Sequence, residues 1–173
     1  MKFHNPLVQT TVQSPLGPVI LAASDQGLAG LWFDGQRHLP VELTGPPVWI
    51  HAPDHPVLQN ASHQLVDYFS GRRQLFDLPL DLGYGTPFQQ AVWQALLGIP
   101  QGKTISYGEV STRIGRPSAV RAVGAAIGRN PVSIVVPCHR VIGGKGLLTG
   151  YAGGLDRKTA LLKLEGVLQE SLL

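Results

Sequence analysis

The chain has 173 residues, of which 43% are apolar, and a formal net charge of +3, so it can form one large domain or two small ones with a real core. Its single cysteine excludes an intramolecular disulfide and a zinc site built on several thiolates, and is typical of a reducing compartment. The start, MKFHNPLVQTT, lacks the apolar stretch of a secretory signal and no segment approaches the length of a membrane span, so we expect a soluble, cytoplasmic protein.

The positive charge belongs to the second half of the chain. A Gly-Tyr-Gly-Thr-Pro stretch near Gly85 is typical of a linker and predicts two domains, residues 1–85 and 86–173. The first carries four Lys/Arg and seven Asp/Glu, a net charge of −3, and the second carries ten and four, a net charge of +6. This asymmetry indicates a polyanion as partner of the second half, although a basic solvated face without a partner explains the charge equally well.

The first half predicts an antiparallel sheet followed by one helix. Three runs rich in β-branched, aliphatic or aromatic residues are separated by tight-turn signals and predict a meander over residues 8–13, 19–24 and 28–33. A Pro-rich loop covers residues 39–56, and helical spacing of apolar residues predicts a helix over 57–70 that ends at Gly71. A further short strand is predicted over residues 74–80.

The second half predicts mainly helices, the first of them beginning at Thr86-Pro87 and ending at residues 98–100. Residues 106–109, Ser-Tyr-Gly-Glu, have the form of a capping box and predict a short helix that runs to residue 114. After a turn at residues 116–118, Ser118 is predicted to cap a further helix that ends at Ile127. Two short helices joined by such a turn, the second of them basic, have the outline of a helix-turn-helix.

The second helix of this pair is predicted to have small residues on its surface, with Arg121 the one long charged side chain among them. These small residues are Ala119, Ala122, Gly124, Ala125 and Ala126. They allow close packing on a neighbouring helix, or insertion into a nucleic-acid groove with Arg121 reaching toward the bases. The pattern alone leaves both interpretations open.

The only cysteine lies in the stretch Ser-Ile-Val-Val-Pro-Cys-His-Arg-Val-Ile, residues 133–142. A lone cysteine after an apolar run is most often a small buried hydrophobe. Here Pro137 interrupts regular structure, so Cys138 can be presented to solvent or to a ligand, and the adjacent His139 and Arg140 favour thiolate over thiol. These neighbours make Cys138 a candidate nucleophile.

Glu165 is a candidate for the group that orients the histidine. It lies in the last turn of a helix predicted to begin at Asp156 and to end at Gly166. The helix dipole disfavours a carboxylate at this end, so a partner explains its place, although simple surface exposure does so equally well. The preceding segment, residues 143–154, contains six glycines but not the Gly-Lys-Ser/Thr of a phosphate-binding loop, and is interpreted as a mobile lid or a pocket wall.

Three segments of the second half, residues 86–110, 116–143 and 149–166, resemble the 6-O-alkylguanine-DNA alkyltransferases, repair proteins that move an alkyl group from damaged guanine to their own cysteine. The Pro-Cys-His-Arg motif and its flanks carry the resemblance, while the first half resembles that family only in length, element order and turn signals. The resemblance implies an α+β fold, with an N-terminal RNase H-like domain of antiparallel sheet plus helix. A mainly helical, winged helix-turn-helix-like domain follows.

The resemblance also implies roles for individual residues. Cys138 would accept the alkyl group, His139 would act as its base through a water, Glu165 would orient the imidazole, and Asn130 would brace the active-site turn. The remaining implied catalytic residues are Tyr107, which would contact the flipped base and its phosphate, and Tyr151 and Lys158, which would line the pocket and assist the leaving guanine.

The implied DNA contacts lie in the minor groove, where Arg121 would fill the gap left in the base stack. They are Ser118, Ala119, Arg121, Ala122, Gly124 and Arg140. The implied substrate pocket includes Val141, Ala152, Ser133 and Ile127, with the backbone of Cys138, Val141 and Ala152 recognising the base edge. Ile127 and Ser133 stand where relatives vary, so the resemblance does not fix the tolerance for larger adducts.

The implied activity is stoichiometric transfer of an alkyl group from 6-O-alkylguanine, or from 4-O-alkylthymine, in flipped-out duplex DNA to Cys138. No cofactor is expected, and no metal, because family members with an N-terminal zinc site use cysteines that this half lacks. We expect a monomer. Two alternatives remain: a module that recognises lesions without repairing them, which the presence of Cys138 argues against, and a cysteine hydrolase for which the basic half is incidental.

Overall fold

The polypeptide divides into two units. The computed structural model describes residues 2–46 and 48–169. One unit comprises the chain up to Gly85 together with Pro131–Ser133, and the other comprises Thr86–Asn130 and the chain from Ile134 onward. The division therefore differs from the predicted one in a single segment, residues 131–133, which returns to the first unit.

The first unit contains a four-stranded sheet in the order β3-β2-β1-β4. Its strands are β1 (Val8–Val12), β2 (Val19–Ser24), β3 (Gly27–Phe33) and β4 (Ile50–His51). The pairs β1–β2 and β2–β3 are antiparallel, which confirms the predicted meander, whereas β1 and β4 are parallel. The returning segment lies beside β3, where Leu31 N–H donates to the Pro131 carbonyl over 2.8 Å.

Two sequence-based expectations for this unit are wrong. The loop predicted over residues 39–56 contains β4, which the sequence conceals because it is only two residues long. The strand predicted over residues 74–80 does not form: only Leu80 makes a bridge, to Leu28. Pro79 has no N–H to donate, and its carbonyl accepts the Leu28 N–H over 2.7 Å.

Helix α1 (Pro56–Phe69) confirms the predicted helix and contacts β1, β2 and β3. Its buried apolar residues are Leu58, Ala61, Leu65 and Tyr68. A separate cluster is formed by Leu7, Ala22, Ala29, Trp32 and Trp49. All seven residues of β3 are buried, which gives this strand the continuous apolar pattern seen in the sequence.

The second unit is mainly helical, as predicted. Its helices are α2 (Pro87–Leu97), α3 (Tyr107–Arg113), α4 (Val120–Gly128) and α5 (Leu155–Leu164). Two short strands, β5 (Ile105–Ser106) and β6 (Val141–Ile142), pair in parallel and were not predicted. Trp93 of α2 is fully buried and donates its indole N–H to the Ala126 carbonyl of α4 over 2.9 Å. Among the described residues, no helix has the length and apolar character to cross a membrane.

The helix-turn-helix is formed by α3 and α4, joined by residues 114–119. The predicted capping box is confirmed: the Ser106 hydroxyl accepts the Glu109 N–H over 3.1 Å, and the Glu109 carboxylate accepts the Ser106 N–H over 2.7 Å. The predicted cap at Ser118 is wrong. Helix α4 begins one residue later, with Ala119 at its N-cap and no side-chain cap hydrogen bond.

These two serines make a matched pair for a stability measurement. We expect Ser106→Ala to lower the free energy of unfolding by about 1 kcal/mol, because it removes an acceptor for an otherwise unpaired helix N–H. Ser118→Ala should change it by less than about 0.5 kcal/mol, since that hydroxyl does not cap a helix. Urea denaturation of both variants measures the difference, and equal losses would contradict this account of α3.

Candidate active site

Cys138 lies at a break in the chain created by Pro137. Pro137 has φ −82° and ψ 65°, close to the values of an inverse γ-turn, and the Cys138 N–H donates to the Val136 carbonyl over 2.8 Å. A 3-10 turn, Cys138–Arg140, follows and continues into β6. Residues 131–140 are all buried, so the apolar run before the cysteine supports the turn without forming a regular strand.

Asn130 connects the end of α4 to this turn. Its side-chain amide donates to the Val136 carbonyl over 2.7 Å and to the Cys138 Sγ over 3.0 Å. Asn130 is 4% exposed and Cys138 5%, so both hydrogen bonds lie in a nearly dry environment. A donor on sulfur favours the thiolate over the thiol.

His139, Arg140 and Glu165 form a buried charged cluster. The Nε2 of His139 lies 2.8 Å from Oε1 of Glu165. Arg140 donates from Nε to Oε2 of Glu165 and from Nη2 to Oε1, each over 2.8 Å, and from Nη1 to the Ile99 carbonyl over 2.6 Å. The Nδ1 of His139 is buried and has no hydrogen-bond partner among the residues that the structure describes.

Lys158 of α5 adds a second buried cation. Its side chain is fully buried, and its ammonium donates to the carbonyls of Val141 over 2.6 Å and Thr149 over 2.9 Å. The half-buried Tyr107 of α3 donates its hydroxyl to the same Thr149 carbonyl over 3.1 Å. The glycine-rich segment of residues 143–154 therefore forms a wall that contacts both side chains.

The ionisation of these groups follows from burial and from their neighbours. Burial raises the pKa of the Cys138 thiol, while the Asn130 hydrogen bond and the charge of Lys158 oppose the rise. Burial lowers the pKa of Lys158 to about 8. Burial also lowers the pKa of His139 despite the adjacent Glu165, so the imidazole is neutral at pH 7.

Glu165 shows the opposite balance. Burial alone would raise its pKa, but the hydrogen bonds and charges of His139 and Arg140 outweigh burial and lower the pKa to about 2. The carboxylate is therefore ionised at neutral pH. With Nε2 of His139 facing an ionised carboxylate, the ring proton belongs on Nε2 and the lone pair on Nδ1.

Helix α4 presents an exposed surface of small residues. Arg121, Ala122 and Ala125 are exposed, while Val123 and Ala126 are buried against the rest of the unit. Of the two interpretations left open by the sequence, packing of Ala122 and Ala125 on a neighbouring helix does not occur within the described part of the chain. Gly124 is half-buried and faces Tyr107, whose ring carbon Cδ1 would lie 3.8 Å from a Cβ at this position.

The other predicted site residues have varied surroundings. Ser118 is exposed and Ala119 half-buried, at the start of α4. Val141 and Ile127 are buried, and Tyr151 and Ala152 are half-buried on the glycine-rich segment. Ser133 belongs to the segment paired with β3, where its N–H donates to the Leu31 carbonyl over 3.0 Å.

Two predictions about Arg140 and the thiol are wrong. Arg140 was expected to contact DNA, but it is only 6% exposed and its guanidinium is bound to Glu165 and the Ile99 carbonyl. It was also expected to favour the thiolate, together with His139. The pKa of Cys138 is lowered instead by Asn130, by the charge of Lys158 and by the backbone of Cys138 and His139, since the charge of Arg140 is matched by Glu165. Cys138 is buried, so of its two expected settings the one facing solvent does not occur, and presentation to a ligand stays a prediction.

The groups missed by sequence analysis are the backbone carbonyls of Ile99, Val136 and Thr149. Every residue has a carbonyl, so no sequence signal distinguishes these three. The Arg140–Glu165 pair did have a sequence signal. A carboxylate at a helix C-terminus requires a partner, and Arg140 directly follows His139, the predicted partner of Glu165.

Among the described residues, no group of three or more His, Cys, Asp or Glu side chains could hold a metal ion.

The fold and site define an α+β protein in which a single buried cysteine adjoins a helix-turn-helix. Comparison with known proteins agrees: the DNA-binding domain of 6-O-methylguanine DNA methyltransferase matches residues 87–167, and its ribonuclease-like domain matches residues 7–82. The chain belongs to the 6-O-methylguanine DNA methyltransferase family.

Individual relatives are similar over nearly the whole chain. A methylated-DNA--protein-cysteine methyltransferase of Mycobacterium tuberculosis is 51% identical over 156 residues, 90% of each chain. One of Methanosarcina acetivorans is 48% identical over 155 residues, 89% of this chain and 95% of the relative. The crystal structure of Mycobacterium tuberculosis OGT in complex with DNA has a TM-score of 0.81 and 49% identity, covering 91% of this chain and 92% of that one.

Proposed function

We propose that the protein repairs DNA by moving an alkyl group, chiefly methyl, from 6-O-alkylguanine in duplex DNA to Cys138. The second candidate substrate is 4-O-alkylthymine. The observation that carries the proposal is the position of Cys138: the only thiol of the chain is buried, bound by Asn130, and lies within a matched DNA-binding domain. The DNA bound by the Mycobacterium tuberculosis relative supports DNA as the partner, which we propose to be double-stranded.

Delivery of the damaged base requires that it leave the helix. The alkylated oxygen is inaccessible inside a stacked duplex, and extrusion of one nucleotide costs about a few kcal/mol. The exposed small residues Ala122 and Ala125 allow α4 to lie close to the minor-groove floor, and the exposed Arg121 can occupy the gap in the base stack. The net charge of +6 in residues 86–173 adds attraction to the phosphates.

Activation of the thiol uses the buried cluster. The Nδ1 of His139 has a free lone pair, and a bridging water can carry the Cys138 proton to it. Glu165 fixes the ring by accepting from Nε2 and stabilises the imidazolium that forms. The ammonium of Lys158 and the amide of Asn130 stabilise the thiolate, which the burial of Cys138 otherwise disfavours.

Transfer then proceeds in one displacement. The Cys138 sulfur forms a bond to the alkyl carbon as the bond from that carbon to guanine O6 breaks, and the electron pair remains on guanine. The Tyr107 hydroxyl or the Lys158 ammonium supplies the proton that guanine needs, assisted by Tyr151 in the pocket wall. The thiol proton rests on His139 and the donor to guanine is left one proton short, so release of a proton from His139 to solvent and uptake of one by the donor balance the reaction.

Binding of the base uses the walls around the thiol. We assign base recognition to the backbone of Cys138, Val141 and Ala152, and contacts to the alkyl group to Ser133 and Ile127. Ser118, Ala119 and Gly124 complete the DNA contact of the helix-turn-helix.

The thioether product has no group to hydrolyse it, so each molecule acts once, without a cofactor. We also propose that it acts as a monomer in the cytoplasm, where reducing conditions keep Cys138 as a free thiol.

Intact-mass measurement after incubation with duplex DNA containing 6-O-methylguanine tests this function. We expect a stable gain of one methyl group and none with unmethylated duplex. An unchanged mass with retained DNA binding would indicate a lesion-recognition module. Turnover of a thioester or peptide without a mass gain would indicate a hydrolase.

The role of Arg121 gives a second test. We expect Arg121→Ala to slow repair of duplex DNA by about 10- to 100-fold. Without the inserted side chain, the extruded state of the nucleotide is less stable, and its population falls by that factor. Reaction with a free guanine derivative should change by less than about threefold, because no base needs to be extruded. Single-turnover rates on both substrates measure the contrast, with Arg72→Ala in the first unit as control. Equal losses on both substrates would eliminate this role.

A further inference from the structure

Arg140 is held in a place where it cannot reach DNA but controls the charge of the site. Its guanidinium makes three hydrogen bonds, two to Glu165 and one to the Ile99 carbonyl at the end of α2. With 6% exposure it is nearly removed from solvent. A planar guanidinium bound at both oxygens of one carboxylate is the most rigid arrangement for such a pair.

One oxygen of Glu165 is shared. Oε1 lies 2.8 Å from both Nη2 of Arg140 and Nε2 of His139. Because Arg140 neutralises part of the negative charge of Glu165, the carboxylate stabilises an imidazolium less than it would without the arginine. A carboxylate bound only to His139 would instead favour a buried ion pair, with both ring nitrogens protonated.

The groups around His139 reinforce this balance. Burial disfavours the imidazolium most strongly. Of the residues that the structure describes, Glu165 at the end of α5 is the one anion that acts on the ring, whereas Arg140 beside it and Lys158 of α5 are cations. Cys138 precedes it as a thiol whose pKa is raised by burial. A proton on Nδ1 would therefore give the buried cluster excess positive charge.

We infer that Arg140 is a positioning residue that keeps His139 neutral and protonated on Nε2, so that Nδ1 can accept the Cys138 proton at neutral pH. The inference rests on the proposed alkyl transfer. It extends that proposal by assigning the arginine of the Pro-Cys-His-Arg motif to the base rather than to DNA or to the thiol. Glu165 thus orients the ring, while Arg140 limits how strongly the charge of the same carboxylate stabilises an imidazolium.

The test compares Arg140→Gln with the wild-type protein in its reaction with free 6-O-methylguanine, from about pH 5 to 9. Loss of the Arg140 guanidinium should raise the pKa of His139. The acid limb of the rate–pH profile should therefore shift to higher pH by about one unit or more. The rate near pH 6 should fall about tenfold relative to wild type and recover toward pH 9. Arg140→Lys, which keeps the charge, should move the limb less.

Two controls separate this effect from damage to the fold. In the double variant Arg140→Gln/Glu165→Gln the upward shift should disappear, because the carboxylate whose charge stabilises the imidazolium is gone. Arg72→Gln, an exposed arginine paired with Asp67 in the first unit, should leave the profile unchanged. If Arg140→Gln does not fold, Arg140→Lys and nitrogen NMR of wild-type His139 still test the inference, which requires a ring that is neutral and Nε2-protonated at pH 7.

The inference is overturned if Arg140→Gln reacts more slowly by the same factor at every pH, or if wild-type His139 is an imidazolium at pH 7. Loss of DNA affinity with an unchanged reaction on the free base would also overturn it and would return Arg140 to the DNA surface. Failure of the wild-type protein to gain a methyl group is a separate result that would reject the proposed function itself.

Discussion

Cys138→Ser is expected to abolish alkyl transfer while leaving the protein folded and able to bind methylated duplex DNA. Serine is close to cysteine in size and can keep the hydrogen bond from Asn130. Its hydroxyl is a far weaker acid and a poorer nucleophile than a thiol, so we expect a loss of about 10⁴-fold or more in the single-turnover rate. Transfer of a radiolabelled methyl group from duplex DNA to protein measures this loss directly.

Binding and stability of the same variant provide its control. The dissociation constant for methylated duplex should stay within about threefold of the wild-type value, because the exposed face of α4 is unchanged. The thermal midpoint should also change little. Retained methyl transfer by Cys138→Ser would show that another group is the acceptor.

Glu165→Gln is expected to have the second largest effect, since one carboxylate serves both His139 and Arg140. The amide keeps the shape but removes the charge, which leaves Arg140 without its counterion. Breaking a buried ion pair on one side costs about 3–5 kcal/mol in the free energy of unfolding. Loss of the orienting group should slow alkylation of Cys138 near pH 7 by about 100-fold.

The dependence of stability on pH gives this variant a distinctive signature. The pKa of Glu165 is about 2 in the folded state against an ordinary value of 4.5, so its stabilisation is complete above pH 4.5 and is lost as the pH falls toward 2. Urea denaturation should show a shallower loss of stability over this range for Glu165→Gln. Asp156→Asn, exposed at the start of α5, should change stability by less than about 0.5 kcal/mol. An unchanged rate–pH profile for Glu165→Gln would argue against the linkage of Cys138, His139 and Glu165.

The parts of the fold that the sequence predicts are those with local signals. The meander, α1 and the capping box of α3 each have a turn, a periodic apolar pattern or a cap within a few residues. The parts it misses depend on distant partners. β4 forms by pairing with β1, β5 pairs with β6, and residues 131–133 join β3, so none of these has a signature of its own.

The site shows the same contrast. Residue types alone make Cys138 a candidate nucleophile and Glu165 a candidate partner of the histidine, while the family resemblance implies the full set of roles. The assignment of Arg140 requires coordinates, because only burial distinguishes an arginine that binds phosphate from one that holds a carboxylate. The backbone also has a feature that the sequence does not predict: Ile134 has a φ of 71°, which is unusual for a β-branched residue.

Peptide mass mapping after reaction with duplex DNA containing 6-O-methylguanine tests the central claim most directly. Cys138 and the buried Lys158 are the two side chains of this site that could carry a transferred alkyl group, Lys158 only after loss of a proton. The position of the methyl group on the chain therefore identifies the acceptor. We predict one methyl group on the sulfur of Cys138 for each guanine restored in the DNA. A methyl group on Lys158 or elsewhere, or restored guanine with an unmodified Cys138, would contradict the account.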